Sequence, residues 1–111
     1  VDIALVRARD GDRCARDGDA RELQVHHRVP RGQGGRDYAE NLVTLCVLCH
    51  RWAHAHPHEA REGGWLLRSM DNPGIIPVKH FSWPLGLVLL GHDLDFIIWT
   101  DELAAEIEAR G

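Results

Sequence analysis

Apolar and polar positions change period three times along the chain. Leu23–Val29 (LQVHHRV) alternates, with β-branched Val25 and Val29, and reads as a strand closed by Pro30. Arg31–Arg36 (RGQGGR) is glycine-rich and must be a loop, and Asp37–Asn41 is a short irregular return. Leu42–Leu45 (LVTL) is a second short strand. From Cys46 to His54 the period becomes helical: Val47, Leu48, Trp52 and Ala55 fit a helix, which also places His50 and His54 on one face, and Pro57 marks its end or a sharp bend. The middle of the chain therefore predicts strand, loop, strand, helix.

The flanks are less regular. Val1–Arg9 has weak helical periodicity and reads as a helix or an extended arm. Turns follow at Asp10-Gly11-Asp12 and around Asp17-Gly18-Asp19, with Cys14 between them, in the manner of a metal knuckle. After Gly63-Gly64, Trp65–Ser69, Ile76–Phe81, Leu87–Leu90 and Phe96–Trp99 read as four short strands, the last two forming a hairpin. Thr100 reads as the N-cap of a closing helix with acids in its first turn and Arg110 in its last. The fold class expected is α+β: a core over residues 1–62 and a β-hairpin-rich extension over 63–111 packed on it, ending in the helix.

At 111 residues a single modest core is possible, and a metal staple would help it. No apolar run is long enough to span a membrane, and Val1-Asp2 opens no secretory pattern. The net charge of −4 is unevenly spread. Up to Arg61 there are ten arginines against nine acids; from Glu62 onward there are three basic residues against eight acids. The basic residues thus surround the histidine-rich stretch, and the acidic half suits docking on a larger DNA-processing protein. The odd count of three cysteines, two of them in Cys46-x-x-Cys49, fits thiolates serving a metal in a reducing, cytoplasmic compartment better than a disulfide framework.

Chemistry concentrates between His26 and His54. Neighbours on a strand point to opposite faces, so one of His26 and His27 can bind a metal while the other faces a substrate. His50 and His54 can complete the shell with His26. Three neutral imidazoles with open positions make a catalytic rather than a structural site. Such a metal polarises a phosphoryl oxygen, and a histidine near neutral pKa can deprotonate water. His56, His58, His80 and His92 read as surface or hydrogen-bonded core residues, His54 has the alternative of an exposed helix residue, and Trp65, Trp83 and Trp99 read as core rather than base-stacking platforms. Arg28, Arg31, Arg36 and Arg51 flank the site and are candidates for phosphate contacts. No element reads base edges.

The stretch resembles the HNH endonuclease family through Val25-His26-His27-Arg28-Val29-Pro30, Gly34-Gly35, Glu40–Cys46 and Cys49-His50, with the likeness running from Arg9 to His56. The resemblance implies a ββα-metal core and metal-dependent cleavage of DNA leaving 5′-phosphate and 3′-hydroxyl ends. It implies that His27 is the general base, that Asn41 fixes the loop and orients the base, and that His26 and His50 hold one divalent ion (Mg, Mn, Ni or Zn). His54 is similar to an added metal ligand in colicin-type DNases. The family's structural zinc, bound by two Cys-x-x-Cys knuckles, would fall on Cys14, Asp17, Cys46 and Cys49, with Asp17 where a cysteine is usual. The site is then Cys3Asp, three cysteines with another ligand, or lost. Small proteins of this kind resemble those common in bacteriophages and restriction systems. Two other readings remain: a non-catalytic zinc module binding DNA or protein, and a metallohydrolase of small phosphoesters. Metal stoichiometry and substrate choice separate them.

Overall fold

The computed structural model describes all residues, Val1–Gly111. The chain opens on helix α1, Ile3–Arg9, whose first turn is capped by Asp2 accepting from the Ala4 amide at 2.8 Å. Gly11 and Asp12 both take positive φ, which reverses the chain. A tight turn then carries Cys14 and Asp17, closed by Gly18 N donating to Cys14 O at 2.8 Å.

Strand β1, Leu23–His27, pairs antiparallel with β2, Leu42–Cys46, placing His26 opposite Val43 and His27 opposite Leu42. β1 stops at His27, two residues short of the expected Val29; Arg28 N still donates to Asn41 O at 2.8 Å. The connecting loop holds two single 3₁₀ turns, Arg31–Gln33 and Ala39–Asn41. Its glycines are needed: Gly34 sits at φ +89°, and a Cβ on Gly35 would lie 1.8 Å from the Val29 carbonyl oxygen. All five residues of β2 are buried, which explains why Thr44 is its single polar residue. Its outer edge is covered, because Thr44 N donates to Asp10 Oδ2 at 2.9 Å and Thr44 O accepts from Ala15 N at 2.7 Å.

Helix α2, Val47–Ala55, follows directly, its start capped by Cys46 Sγ accepting from Cys49 N at 3.4 Å. The helix ends at His56, and Pro57 opens a second helix, α3, Pro57–Glu62, because proline at a first helical position loses no hydrogen bond.

The extension holds a three-stranded antiparallel sheet in the order β3 (Val78–Lys79), β4 (Leu87–Leu90), β5 (Phe96–Ile98), and ends in α4, Asp101–Arg110, capped by Thr100 Oγ1. The β4–β5 hairpin is as expected from the sequence. Trp65–Ser69 is not a strand. The amides of Trp65 and Leu66 turn back to Ala60 O, Leu67 N reaches across to Arg28 O, and Trp65, Leu66 and Leu67 are apolar because they are buried. Ile76–Phe81 shortens to two strand residues, since Pro77 has no amide to donate.

One core joins both halves: Cys14, Ala15, Val43, Leu45, Cys46 and Cys49 pack with Trp65, Val78, Val88 and Leu90. Full burial of one such leucine or valine is worth about 1.5–3 kcal/mol, so the extension contributes materially to the stability of the core. No helix is long and apolar enough to cross a membrane.

Candidate active site and cysteine cluster

β1 presents Gln24 and His26 on the face that α2 covers and His27 on the other, as strand alternation requires. His26 is buried, with Nε2 2.7 Å from the Trp65 carbonyl oxygen. A carbonyl can only accept, so Nε2 carries the proton and Nδ1 keeps the lone pair. His50 Nδ1 lies 2.6 Å from Gln24 Oε1, which in the same way leaves His50 Nε2 unprotonated. His54, one turn along α2, places its Nε2 3.2 Å from His50 Nε2. One ring nitrogen from each of His26, His50 and His54 lies within 4.8 Å of the others.

This donor set suits a metal. Two imidazole nitrogens bound tetrahedrally at about 2.0–2.1 Å sit about 3.3 Å apart, close to the His50–His54 separation. Burial is the main cause that pulls His26 down to about 4, against the Trp65 hydrogen bond, with the neighbouring histidines adding to the fall. Burial and then His54 also lower His50. His26 and His50 are therefore neutral at pH 7, the protonation state a metal requires. A histidine whose other nitrogen is anchored by a carbonyl or amide oxygen is the usual support of a ligating imidazole.

His27 shares a cleft of about 210 Å³ with these three histidines, walled by Val25, Pro30 and Arg31. Its Nε2 lies 2.7 Å from Asp37 Oδ1, and Arg31 Nη2 reaches both oxygens of Asp37 at 3.3 and 3.2 Å. The His27 hydrogen bond first, and Arg31 second, hold the Asp37 carboxyl below the usual carboxylate range.

Asn41 is buried and ties the two ends of the loop together. Its Oδ1 accepts from Val29 N at 2.8 Å, and its Nδ2 donates to Val29 O at 3.2 Å and Arg36 O at 3.0 Å. The side chain bonded to His27 is Asp37, not Asn41, so Asn41 reaches His27 only through the loop it closes.

The second cluster lies behind α2. The ligand atoms of Cys14, Asp17, Cys46 and Cys49 are all within 4.8 Å of one another. Asp17 Oδ2 is 3.2 Å from Cys49 Sγ and 3.8 Å from Cys46 Sγ. Burial raises the Cys14 and Cys49 thiols, while Asp17 stays low because hydrogen bonds from the Asp19 amide and the three thiols outweigh its desolvation. A closed set of three sulfurs and one carboxylate oxygen could hold a zinc ion. Arg16 lies over it, 3.4 Å from Cys49 Sγ and 3.7 Å from the Trp52 ring centre.

Arg28 corrects a sequence expectation. It is fully buried and makes four hydrogen bonds, to the carbonyls of Gly64, Glu40, Pro73 and Ile76, so it cannot meet a phosphate. Arg31, Arg36 and Arg51 are exposed. His80 is a hydrogen-bonded core residue, and His56, His58 and His92 are on the surface. Sequence reasoning missed Gln24, Trp65 and Asp37. Gln24 had a signal, lying two residues before His26 on one strand face; Asp37, in an aperiodic loop, had none.

Residues 12–56 match the family model described as HNH endonuclease. A stretch of 32 residues is 50% identical to the Type IV methyl-directed restriction enzyme EcoKMcrA of Escherichia coli (strain K12). That stretch is 29% of this chain and 12% of that enzyme, so the likeness spans a small part of the relative. No solved structure matches. The matched segment runs from the turn bearing Cys14, through β1, the loop and β2, to the end of α2, and therefore carries both ligand clusters and His27; over this segment, less than half of the chain, the protein is similar to the HNH endonuclease family.

Proposed function

We propose that the protein is a metal-dependent endonuclease that hydrolyses DNA phosphodiester bonds, leaving 5′-phosphate and 3′-hydroxyl ends. The observation that carries this reading is the single cleft shared by His27 and the three converging nitrogens of His26, His50 and His54. His27 accepts the proton of the attacking water. His26, His50 and His54 hold a divalent ion, which when bound acts as a Lewis acid on the phosphate. Three imidazoles favour a transition metal such as Zn or Ni over Mg or Mn, which prefer oxygen ligands. Asn41 keeps the loop closed, so that His27 stays beside the cleft. Arg31, Arg36 and Arg51 supply phosphate contacts from the exposed rim.

The cysteine cluster holds a structural zinc by Cys14, Asp17, Cys46 and Cys49, which fixes α2 against the knuckle. Residues 1–62 act as the nuclease core, and residues 63–111 brace it, since Trp65 O anchors His26 and the Gly64, Pro73 and Ile76 carbonyls hold Arg28. The relative's printed role as a restriction enzyme supports DNA as the substrate.

The test is conversion of supercoiled plasmid to nicked or linear form in Mg, Mn, Ni and Zn. His27→Ala is expected to lower the rate by about 10²–10⁴-fold while leaving the fold and the affinity for DNA intact. Full activity in that variant would remove His27 from its role.

A further inference from the structure

We infer that Asp37 is a positioning residue for His27: it holds the ring with its proton on Nε2, so that Nδ1 is the nitrogen that takes the proton from water. This rests on the nuclease reading above and extends it to a residue that the sequence did not single out.

The geometry is specific. An ionised carboxylate can only accept a hydrogen bond, so the 2.7 Å contact between Asp37 Oδ1 and His27 Nε2 requires Nε2–H. Nδ1 is left with the only lone pair on the ring. Arg31 Nη2 braces the same carboxylate by contacts of 3.3 Å to Oδ1 and 3.2 Å to Oδ2, which holds it in place beside the ring. The same loop is pinned once more, where Asn41 Nδ2 donates to the carbonyl of Arg36, the residue before Asp37. Asp37 is thus an exposed residue whose side chain and preceding peptide are both held, with His27 as its partner.

The step balances as follows. The water O–H bond breaks, its electron pair stays on oxygen, and the proton moves to Nδ1. That oxygen forms the new bond to phosphorus. The bond from phosphorus to the 3′ oxygen breaks with its pair on the 3′ oxygen, which takes a proton from solvent. His27 becomes an imidazolium, and its charge is met by the Asp37 carboxylate, which lowers the cost of forming it. The same logic, a carboxylate fixing the tautomer and stabilising the imidazolium, serves serine hydrolases on unrelated folds.

Asparagine and alanine at this position make different predictions. In Asp37→Asn the charge that meets the imidazolium is lost, and the amide turns its NH2 to His27 whenever its oxygen takes the other of the two positions Arg31 contacts. An NH2 donates, so the ring must present Nε2 as the acceptor and carry its proton on Nδ1, which blocks the base. In Asp37→Ala the ring is merely released.

The experiment uses the full chain. Two-bond ¹H–¹⁵N spectra of the metal-free protein at pH 8 are expected to show His27 as the Nε2–H tautomer, with Asp37→Asn shifting it toward Nδ1–H. In plasmid cleavage, Asp37→Ala is expected to lower kcat by about 10–100-fold and Asp37→Asn by at least as much, with KM for DNA within about twofold. Asp37→Glu, which keeps an accepting carboxylate, is expected to recover part of the loss. Thermal melts check that each variant is folded. The inference is overturned if wild-type His27 is the Nδ1–H tautomer, or if Asp37→Asn cuts as fast as wild type while His27→Ala is inactive. If the wild-type protein cuts DNA with none of the metals, the nuclease reading fails, and the spectra still decide what Asp37 does to His27.

Discussion

Arg28 shows how one residue can mislead a reader of sequence and then organise a structure. An arginine beside the paired histidines of a nuclease looks like a phosphate clamp. Its guanidinium instead ties β1 to carbonyls of the 3₁₀ turn and of the extension. Burial, with Arg9 nearby, pulls its pKa down to about 9, so it is still charged at neutral pH. A buried charge is tolerable only because all three nitrogens of its planar fork are answered, four of the five N–H donors by carbonyls. Arg28→Ala would leave four carbonyls facing a void and is expected to cost about 3–5 kcal/mol, read from urea unfolding. Arg28→Lys recovers little of this, since an ammonium cannot span the same carbonyls. Asp37 is the converse case: it was invisible in the sequence because a loop has no periodicity, and only the fold brings it to His27.

Among the elements, α2 serves both clusters at once. Cys49 turns inward toward Cys14 and Asp17, while His50 and His54 turn out toward His26. Helical spacing makes this division legible in advance, since positions 50 and 54 share a face and 49 lies about 100° away. The composition of the second cluster was also readable, but whether Asp17 reached it was not. The turn at Gly18, with φ +77°, and the Asp17 Oδ1 contact with Asp19 N at 2.9 Å set the carboxylate beside the sulfurs. Asp17→Cys is expected to tighten zinc by about 10-fold or more, because a fourth thiolate is the softer ligand. Chelator competition measures this. Asp17→Ala should release zinc more readily and lower the melting temperature of the zinc-loaded protein, with little effect on the metal-free form.

On the scale of the whole molecule, Asp10 links the first helix, β2 and the extension. It pairs with Arg9 through two contacts of 3.0 Å, accepts from Thr44 N, and lies 3.0 Å from His80 Nε2, whose Nδ1 is 2.7 Å from Ser82 Oγ. Burial opposes its ionisation, but hydrogen bonds from His80 and Arg9, the Arg9 charge and the Thr44 amide together hold its pKa below the usual 3.8. The folded state therefore binds this proton less readily than the unfolded state. The stability Asp10 supplies is complete above about pH 4 and is lost as pH falls through the lower folded value. Asp10→Asn is expected to flatten that acid limb and to cost about 2–4 kcal/mol at pH 7, checked by denaturant unfolding at pH 7 and pH 3.

The strand, loop, strand and helix from Leu23 to Ala55 could be read from local pattern because period 2 and period 3.6 are properties of the backbone itself. The same pattern put His26 and His27 on opposite faces and His50 and His54 on one. The extension was read less well. Trp65–Leu67 looked like a strand because burial and strand pairing leave the same apolar mark, and only tertiary contacts distinguish them. Long-range contacts decided the rest: the Trp65 carbonyl that sets the His26 tautomer, the burial that keeps His26 neutral, the carbonyls that take Arg28 out of solvent, and the loop closure that carries Asp37 to His27. Each joins residues far apart in the chain or held by an aperiodic loop. Periodicity says which way a side chain faces within its element, and only packing says what it meets there.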